Sequence, residues 1–170
     1  GLANSLSKYF MIKVFADYSD QHESYDKEVS FSIERIGGIK LLRKYRKAHL
    51  VNEFVKNNKN TEGIIADHWK SLELIKTDKK KICLIHSKEI NHTKGSNLNT
   101  RVLNVLNNVD HVVSNSEYTK NLAINCGVTQ SKITVINPGV NPAKELHKKT
   151  IKEAENLLKN KSPRLITVSR

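Results

Sequence analysis

Lys81-Ile82-Cys83-Leu84-Ile85-His86 is the stretch that decides the fold. Its apolar residues are consecutive rather than alternating. A strand made from them needs cover on both faces, which is the condition of a strand inside a parallel sheet. The same kind of run recurs on either side. Gly63-Ile64-Ile65-Ala66 precedes it, and His111-Val112-Val113-Ser114 and Ile133-Thr134-Val135-Ile136 follow. Helical patterns over residues 69–75, 98–106 and 117–126 lie between these runs. Strand-helix alternation of this kind predicts an α/β fold: an open, doubly wound parallel sheet, Rossmann-like, in three αβα layers with right-handed crossovers.

Toward the N-terminus, Met11-Ile12-Lys13-Val14-Phe15-Ala16 reads as a strand closed by a polar loop over residues 17–26. Val29-Ser30-Phe31-Ser32-Ile33 alternates with period two and reads as a half-buried strand. Gly37-Gly38 breaks the pattern, and a helix is predicted over residues 39–55. Its apolar positions are Leu41, Leu42, Tyr45, Ala48, Val51 and Val55, with Lys40, Arg43, Lys44, Arg46 and Lys47 mostly on the other side. Leu2, Leu6, Tyr9 and Phe10 share a helical face at the start of the chain.

Toward the C-terminus, Asn137-Pro138-Gly139-Val140-Asn141-Pro142 is a strong turn signal. A charged helix without a broad apolar face follows and reads as a connector, and Arg164-Leu165-Ile166-Thr167-Val168 begins a new strand. The chain is thus expected to divide into a domain at residues 1–142, a connecting helix at 143–162, and the first strand of a further domain at 163–170, with the natural protein continuing beyond.

The 170 residues, 38% of them hydrophobic, suffice for one core. No apolar run is long enough to span a bilayer, and the opening residues lack the pattern of a signal peptide. The net charge of +12 favours polyanionic partners, although a chain this rich in Lys, Asn and Ile also acquires such a charge from coding bias. Aromatic residues make up 6% and do not interleave with the basic ones, which argues against a nucleic-acid stacking platform. Cys83 and Cys126 have no metal-ligand spacing and read as reduced packing residues of a cytoplasmic protein. No metal site is indicated, and no phosphate-binding loop, dinucleotide fingerprint or nucleophile elbow is present.

Ligands of open parallel sheets bind outside the carboxyl ends of the strands. That rule selects His86, the pair Asp67-His68, the segment Asn115-Ser116-Glu117 and the turn Asn137-Pro138-Gly139. A strand-end histidine can exchange a proton near neutral pH, or simply close the core edge with a backbone bond. Asp67 can orient a hydroxyl together with His68, or cap the helix expected at Trp69. Ser114 with Glu117 fits a capping box, and Gly127 fits a left-handed helix end. Lys40, Arg43, Lys44 and Lys47 form either a solvated helix face or one that lies on an anionic membrane surface.

Val109-Asp110-His111-Val112-Val113-Ser114-Asn115-Ser116-Glu117-Tyr118-Thr119-Lys120 carries a resemblance to a known family. It continues with Cys126-Gly127-Val128 and with Lys132-Ile133-Thr134-Val135-Ile136-Asn137-Pro138-Gly139-Val140, where Asn and Pro stand in swapped order relative to the family. Arg164-Leu165-Ile166-Thr167-Val168-Ser169-Arg170 resembles the strand that opens the family's second domain. These segments resemble the retaining GT-B glycosyltransferases, family four, that include lipid mannosyltransferases and sucrose and glycogen synthases.

The resemblance covers residues 62–170 and is weaker before them. It implies the N-terminal, acceptor-side lobe of a two-domain enzyme that takes a nucleotide-diphosphate sugar as donor and a glycan or lipid-linked acceptor, with no metal or permanently bound cofactor. By it, His86 lies near the reacting sugar, and Asp67, His68, Asn115 and Ser116 meet the acceptor. Arg170 and Gly1 approach the donor diphosphate, and a first strand lies ahead of Gly1. The downstream lysine and paired glutamates of the family lie past Arg170, so the chain alone is expected to be inactive. Two other readings fit: a nucleotide-sugar epimerase of the same fold, and a non-catalytic basic module that binds nucleic acid or anionic membrane.

Overall fold

Every strand pair in the computed structural model is parallel. The structure describes residues 1–20, 22–139 and 147–159. The chain divides into two units, Gly1–Asn137 and Pro138–Arg170.

In the first unit, helix α1 (Leu2–Leu6) leads into β1 (Lys13–Asp17), α2 (His22–Glu28), β2 (Ser32–Ile36) and α3 (Lys40–Asn57). There follow β3 (Gly63–Ala66), β4 (Lys80–Ile85), α4 (Ser87–Ile90), α5 (Asn97–Leu106), β5 (His111–Ser114), α6 (Glu117–Cys126) and β6 (Ile133–Val135). The strands form two sheets rather than the single one expected, β1-β2 and β3-β4-β5-β6. Helix α3 packs on β1 and β2 and also on the turn after β3, so it belongs to both.

The core lies under the four-strand sheet. Alternate strand residues on one face of it, Cys83 and Ile85 from β4 and Val112 from β5, join Ile90, Val102 and Leu106 from the helices, all fully buried. Burial pushes the Cys83 thiol up to about 12, so it stays protonated and packs as a small hydrophobe. The entry to β5 is fixed by Asp110, whose carboxylate accepts from the Lys81 N–H at 2.8 Å while its own N–H donates to Lys81 O at 3.0 Å.

Several elements differ from expectation for identifiable reasons. Residues 17–26 are not all loop, because α2 begins at His22. Asp26 on that helix takes the Arg35 guanidinium in a fork at 2.9 and 2.5 Å. The second strand runs Ser32–Ile36 rather than over residues 29–33, in register with β1 from Lys13 opposite Ser32 to Asp17 opposite Ile36. The helix expected over residues 69–75 is only a 3₁₀ turn, Trp69–Ser71. Past it, the Asn52 side chain of α3 donates to Leu74 O and accepts from the Lys76 N–H, so α3 bonds these backbone groups from the side.

On α3 itself Ala48, Val51 and Val55 are buried as expected, but Leu41, Leu42 and Tyr45 are exposed. In the second unit, α7 (Lys148–Leu158) is exposed along its length except at Leu158. The strand expected at residues 163–170, with Arg170, and the turn at 140–142 lie outside the described residues.

Candidate functional site

The parallel pairing of β3, β4 and β5 puts their C-terminal ends side by side. Asp67-His68 follows β3, His86 follows β4, and Asn115-Ser116 follows β5.

His86 is the N-cap of α4, and its backbone N–H donates to the Glu89 carboxylate. This is one arm of a capping box. The ring is left exposed. Its Nδ1 faces Asn115 Nδ2 at 3.5 Å. The Asn115 carbonyl oxygen accepts from the Thr119 hydroxyl at 2.7 Å and from the Ser116 hydroxyl at 3.4 Å, so the amide nitrogen is the end turned to the ring. An imidazole whose Nδ1 meets a donor carries its neutral-form proton on Nε2.

Ser116 caps α6, its hydroxyl oxygen accepting from the Thr119 N–H at 3.2 Å. The expected cap, Ser114, instead belongs to β5. It is fully buried and its hydroxyl donates to Thr134 O at 3.4 Å. The pairing of β5 with β6 runs through Ser114, which delays the start of the helix by two positions. Gly127 ends α6 at φ 107°, as expected of a left-handed cap.

Capping after β3 falls to His68 rather than Asp67: His68 Nδ1 accepts from the Lys70 N–H at 3.0 Å. Burial holds the His68 imidazole below the usual histidine range; the carboxylates of Glu89 and Asp67 pull against this, and Lys70 and His86 add to it. His68 and His86 thus share one electrostatic environment. Asp67 stands exposed beside them.

Gly1 is exposed at the head of α1, where its carbonyl accepts from the Ser5 N–H. Of the basic residues on α3, Lys47 reaches Asp17 at 2.6 Å, while Arg43 lies 3.9 Å from the same carboxylate and donates to Gly38 O. Asp17 ends β1 beside this helix and draws Arg43 and Lys47 into ion pairs. Lys44 lies over the Tyr45 ring at 4.8 Å.

Glu89, Thr119 and Trp69 were not singled out as site residues. Trp69 is fully buried, and its indole N–H donates to Glu89 O at 2.9 Å. Arg101 covers that ring 5.5 Å from its centroid and grips Glu73 in a fork at 2.6 and 2.8 Å. The spacing His86-x-x-Glu89 was the available signal for Glu89. Among the described residues no three His, Cys, Asp or Glu side chains are grouped as metal ligands.

Two imidazoles, a carboxylate and an oriented amide can hold several hydroxyls of a polar ligand at once. With polar residues gathered on the carboxyl edge of parallel strands, the unit is of the Rossmann-like, ligand-binding α/β class. Residues 25–144 match Glycosyltransferase Family 4, and the chain belongs to that family.

The fold is similar to that of Anabaena HepE in complex with UDP, at TM-score 0.58 and 14% identity over 87% of this chain and 50% of that one. The structure of HepE with UDP and glucose gives 0.59 and 14% over 88% and 50%. A glycosyltransferase from Rickettsia africae gives 0.57 and 12% over 91% and 51%. The chain therefore spans about half the length of these proteins, and its architecture is one Rossmann-like lobe of the GT-B kind. Comparison with curated proteins gives no match.

Proposed function

We propose that the chain is the acceptor-side lobe of a retaining hexosyltransferase. The whole enzyme moves a sugar from a nucleotide-diphosphate donor to a glycan or lipid-linked acceptor of cell-envelope assembly, in the cytoplasm. The observation that carries this reading is the His86–Asn115 pair on the ligand edge of a Family 4 lobe. The UDP and glucose bound to HepE support a nucleotide-sugar donor here.

In this reading the exposed Nε2 of His86 bonds a hydroxyl of the transferred sugar. Asp67, His68, Asn115 and Ser116 orient the acceptor. Gly1, through its backbone, and Arg170, through a planar fork suited to phosphate, meet the leaving diphosphate. A positive group placed there stabilises the charge that develops as the bond from sugar to phosphate breaks. Retention requires the acceptor hydroxyl to arrive on the face the diphosphate leaves, so both substrates must be held together. A second lobe, beginning near residue 163, supplies the donor pocket and encloses the reaction.

The test is full-length protein with UDP-sugars and an acceptor panel. Product of retained anomeric configuration is expected, with kcat down roughly 100-fold in His86→Ala. An inverted product overturns retention, and failure to bind or turn over any nucleotide sugar overturns the transferase.

A further inference from the structure

Thr119 is a polar residue in a core position. It shares the buried face of α6 with Ala123 and Cys126, at the i, i+4, i+7 spacing of one helical stripe, and is 1% exposed. An apolar side chain of the same shape would fill that place. The hydroxyl is closed to solvent and must find its partners inside the protein. It donates to the Asn115 carbonyl oxygen at 2.7 Å and accepts from the Ser116 hydroxyl at 3.1 Å. Ser116 in turn accepts from the Thr119 N–H at 3.2 Å.

These bonds decide which way the Asn115 amide points. A side-chain amide turned over exchanges its oxygen and nitrogen and keeps its shape, so packing alone does not choose between the two. The hydroxyls do. Each has a proton to place, and the Asn115 oxygen is the acceptor they share, 2.7 Å from the Thr119 oxygen and 3.4 Å from that of Ser116. Turned over, the amide would set two N–H donors against them, and the buried Thr119 proton would lose its acceptor. The nitrogen therefore faces His86 Nδ1, at 3.5 Å.

We infer that Thr119 is a positioning residue: through Asn115 it holds the exposed His86 ring as an Nε2–H donor, so that this point of the edge selects ligand oxygens that accept a hydrogen bond. Nδ1 faces a donor and keeps its lone pair, which leaves the proton of the neutral ring to Nε2. With the amide reversed, Asn115 would accept from Nδ1, and Nε2 would become an acceptor. A hydroxyl that accepts from Nε2 still has its own proton to give, and the exposed Asp67 carboxylate at the neighbouring strand end offers an acceptor. A group with donors alone, such as an ammonium, is refused at Nε2. The sugar hydroxyl as occupant rests on the transfer reading. The ring's tautomer does not, because the protein sets it without ligand.

Long-range nitrogen NMR of the chain in alkaline buffer, where an ordinary imidazole is neutral, tests it. The parent and Thr119→Ser, which keeps the hydroxyl, are expected to hold the His86 proton on Nε2. Thr119→Val keeps the shape and loses the hydroxyl, so the amide turns freely and the Nδ1–H form rises to roughly half of the rings or more. Thr119→Ala, smaller and free of any clash, repeats the loss. Asn115→Asp, with acceptors at both ends, supplies the reference spectrum of the Nδ1–H ring. In full-length protein, with the nucleotide sugar it turns over, Thr119→Val should lower kcat roughly tenfold and Thr119→Ser should restore it. A merely structural hydroxyl would change stability and leave the tautomer alone. An Nδ1–H ring in the parent, an Nε2–H ring in folded Thr119→Val or Thr119→Ala, or no rescue by serine overturns the inference. An inactive parent with the expected tautomers overturns the transfer reading alone.

Discussion

Asn115 presents its amide nitrogen to His86 Nδ1 at 3.5 Å because its own carbonyl oxygen is held by the Thr119 hydroxyl at 2.7 Å. A residue on one strand end thus sets the proton position of a ring on the next. In Asn115→Ala the two neutral tautomers of His86 should mix, where the parent holds the proton on Nε2. Long-range nitrogen NMR of the imidazole reads this directly, and an unchanged tautomer in the variant removes Asn115 from the orienting role.

His68 predicts a pH dependence of stability. Its folded-state affinity for protons lies below the ordinary histidine value, chiefly through burial. The unfolded chain then binds more protons than the folded one near and below pH 6.5, so this group's contribution to stability falls as the pH is lowered. Urea unfolding at pH 8 and pH 5.5 should show a smaller loss in His68→Asn than in the parent. Equal losses in the two proteins would contradict the assignment.

Trp69 anchors the strand-end loops. Truncation to Ala should cost about 3–5 kcal/mol through the cavity it opens. Trp69→Phe keeps most of the ring but leaves Glu89 O without its indole donor, at about 1–3 kcal/mol. Denaturant midpoints of the two variants check the order.

Gly127 ends α6 at φ 107°, and a Cβ there would stand 3.3 Å from Leu103 Cδ1. Gly127→Ala should destabilise by about 1–2 kcal/mol, mostly from the backbone conformation. Thermal unfolding measures it. A neutral outcome would mean that the helix end relaxes to a right-handed cap.

The parallel strands were legible because their apolar runs are continuous, and β3 and β5 fall where the sequence puts them. The caps were misplaced by one or two residues. Ser114-Asn115-Ser116 offers two hydroxyls that can each cap, and only the pairing of Ser114 with β6 decides between them. The split into two sheets has no local signature, since it depends on which edges pair. The strand-end placement of the candidates His86, Asp67, His68 and Asn115 followed from one topological rule. Glu89 escaped because α4 is four residues long, below what periodicity can register. The ion pairs of Arg43 and Lys47 with Asp17 were not legible, since Asp17 lies far from them in the chain.

Glu89 is occupied at both ends: its carboxylate takes the backbone N–H of His86, and its carbonyl takes the Trp69 indole. One residue therefore staples two neighbouring loops into a single plate, and neither can swing alone. An incoming ligand meets an edge whose main chain is already set, and recognition falls to the exposed side chains on it, the His86 ring turned by Asn115 and the Asp67 carboxylate among them.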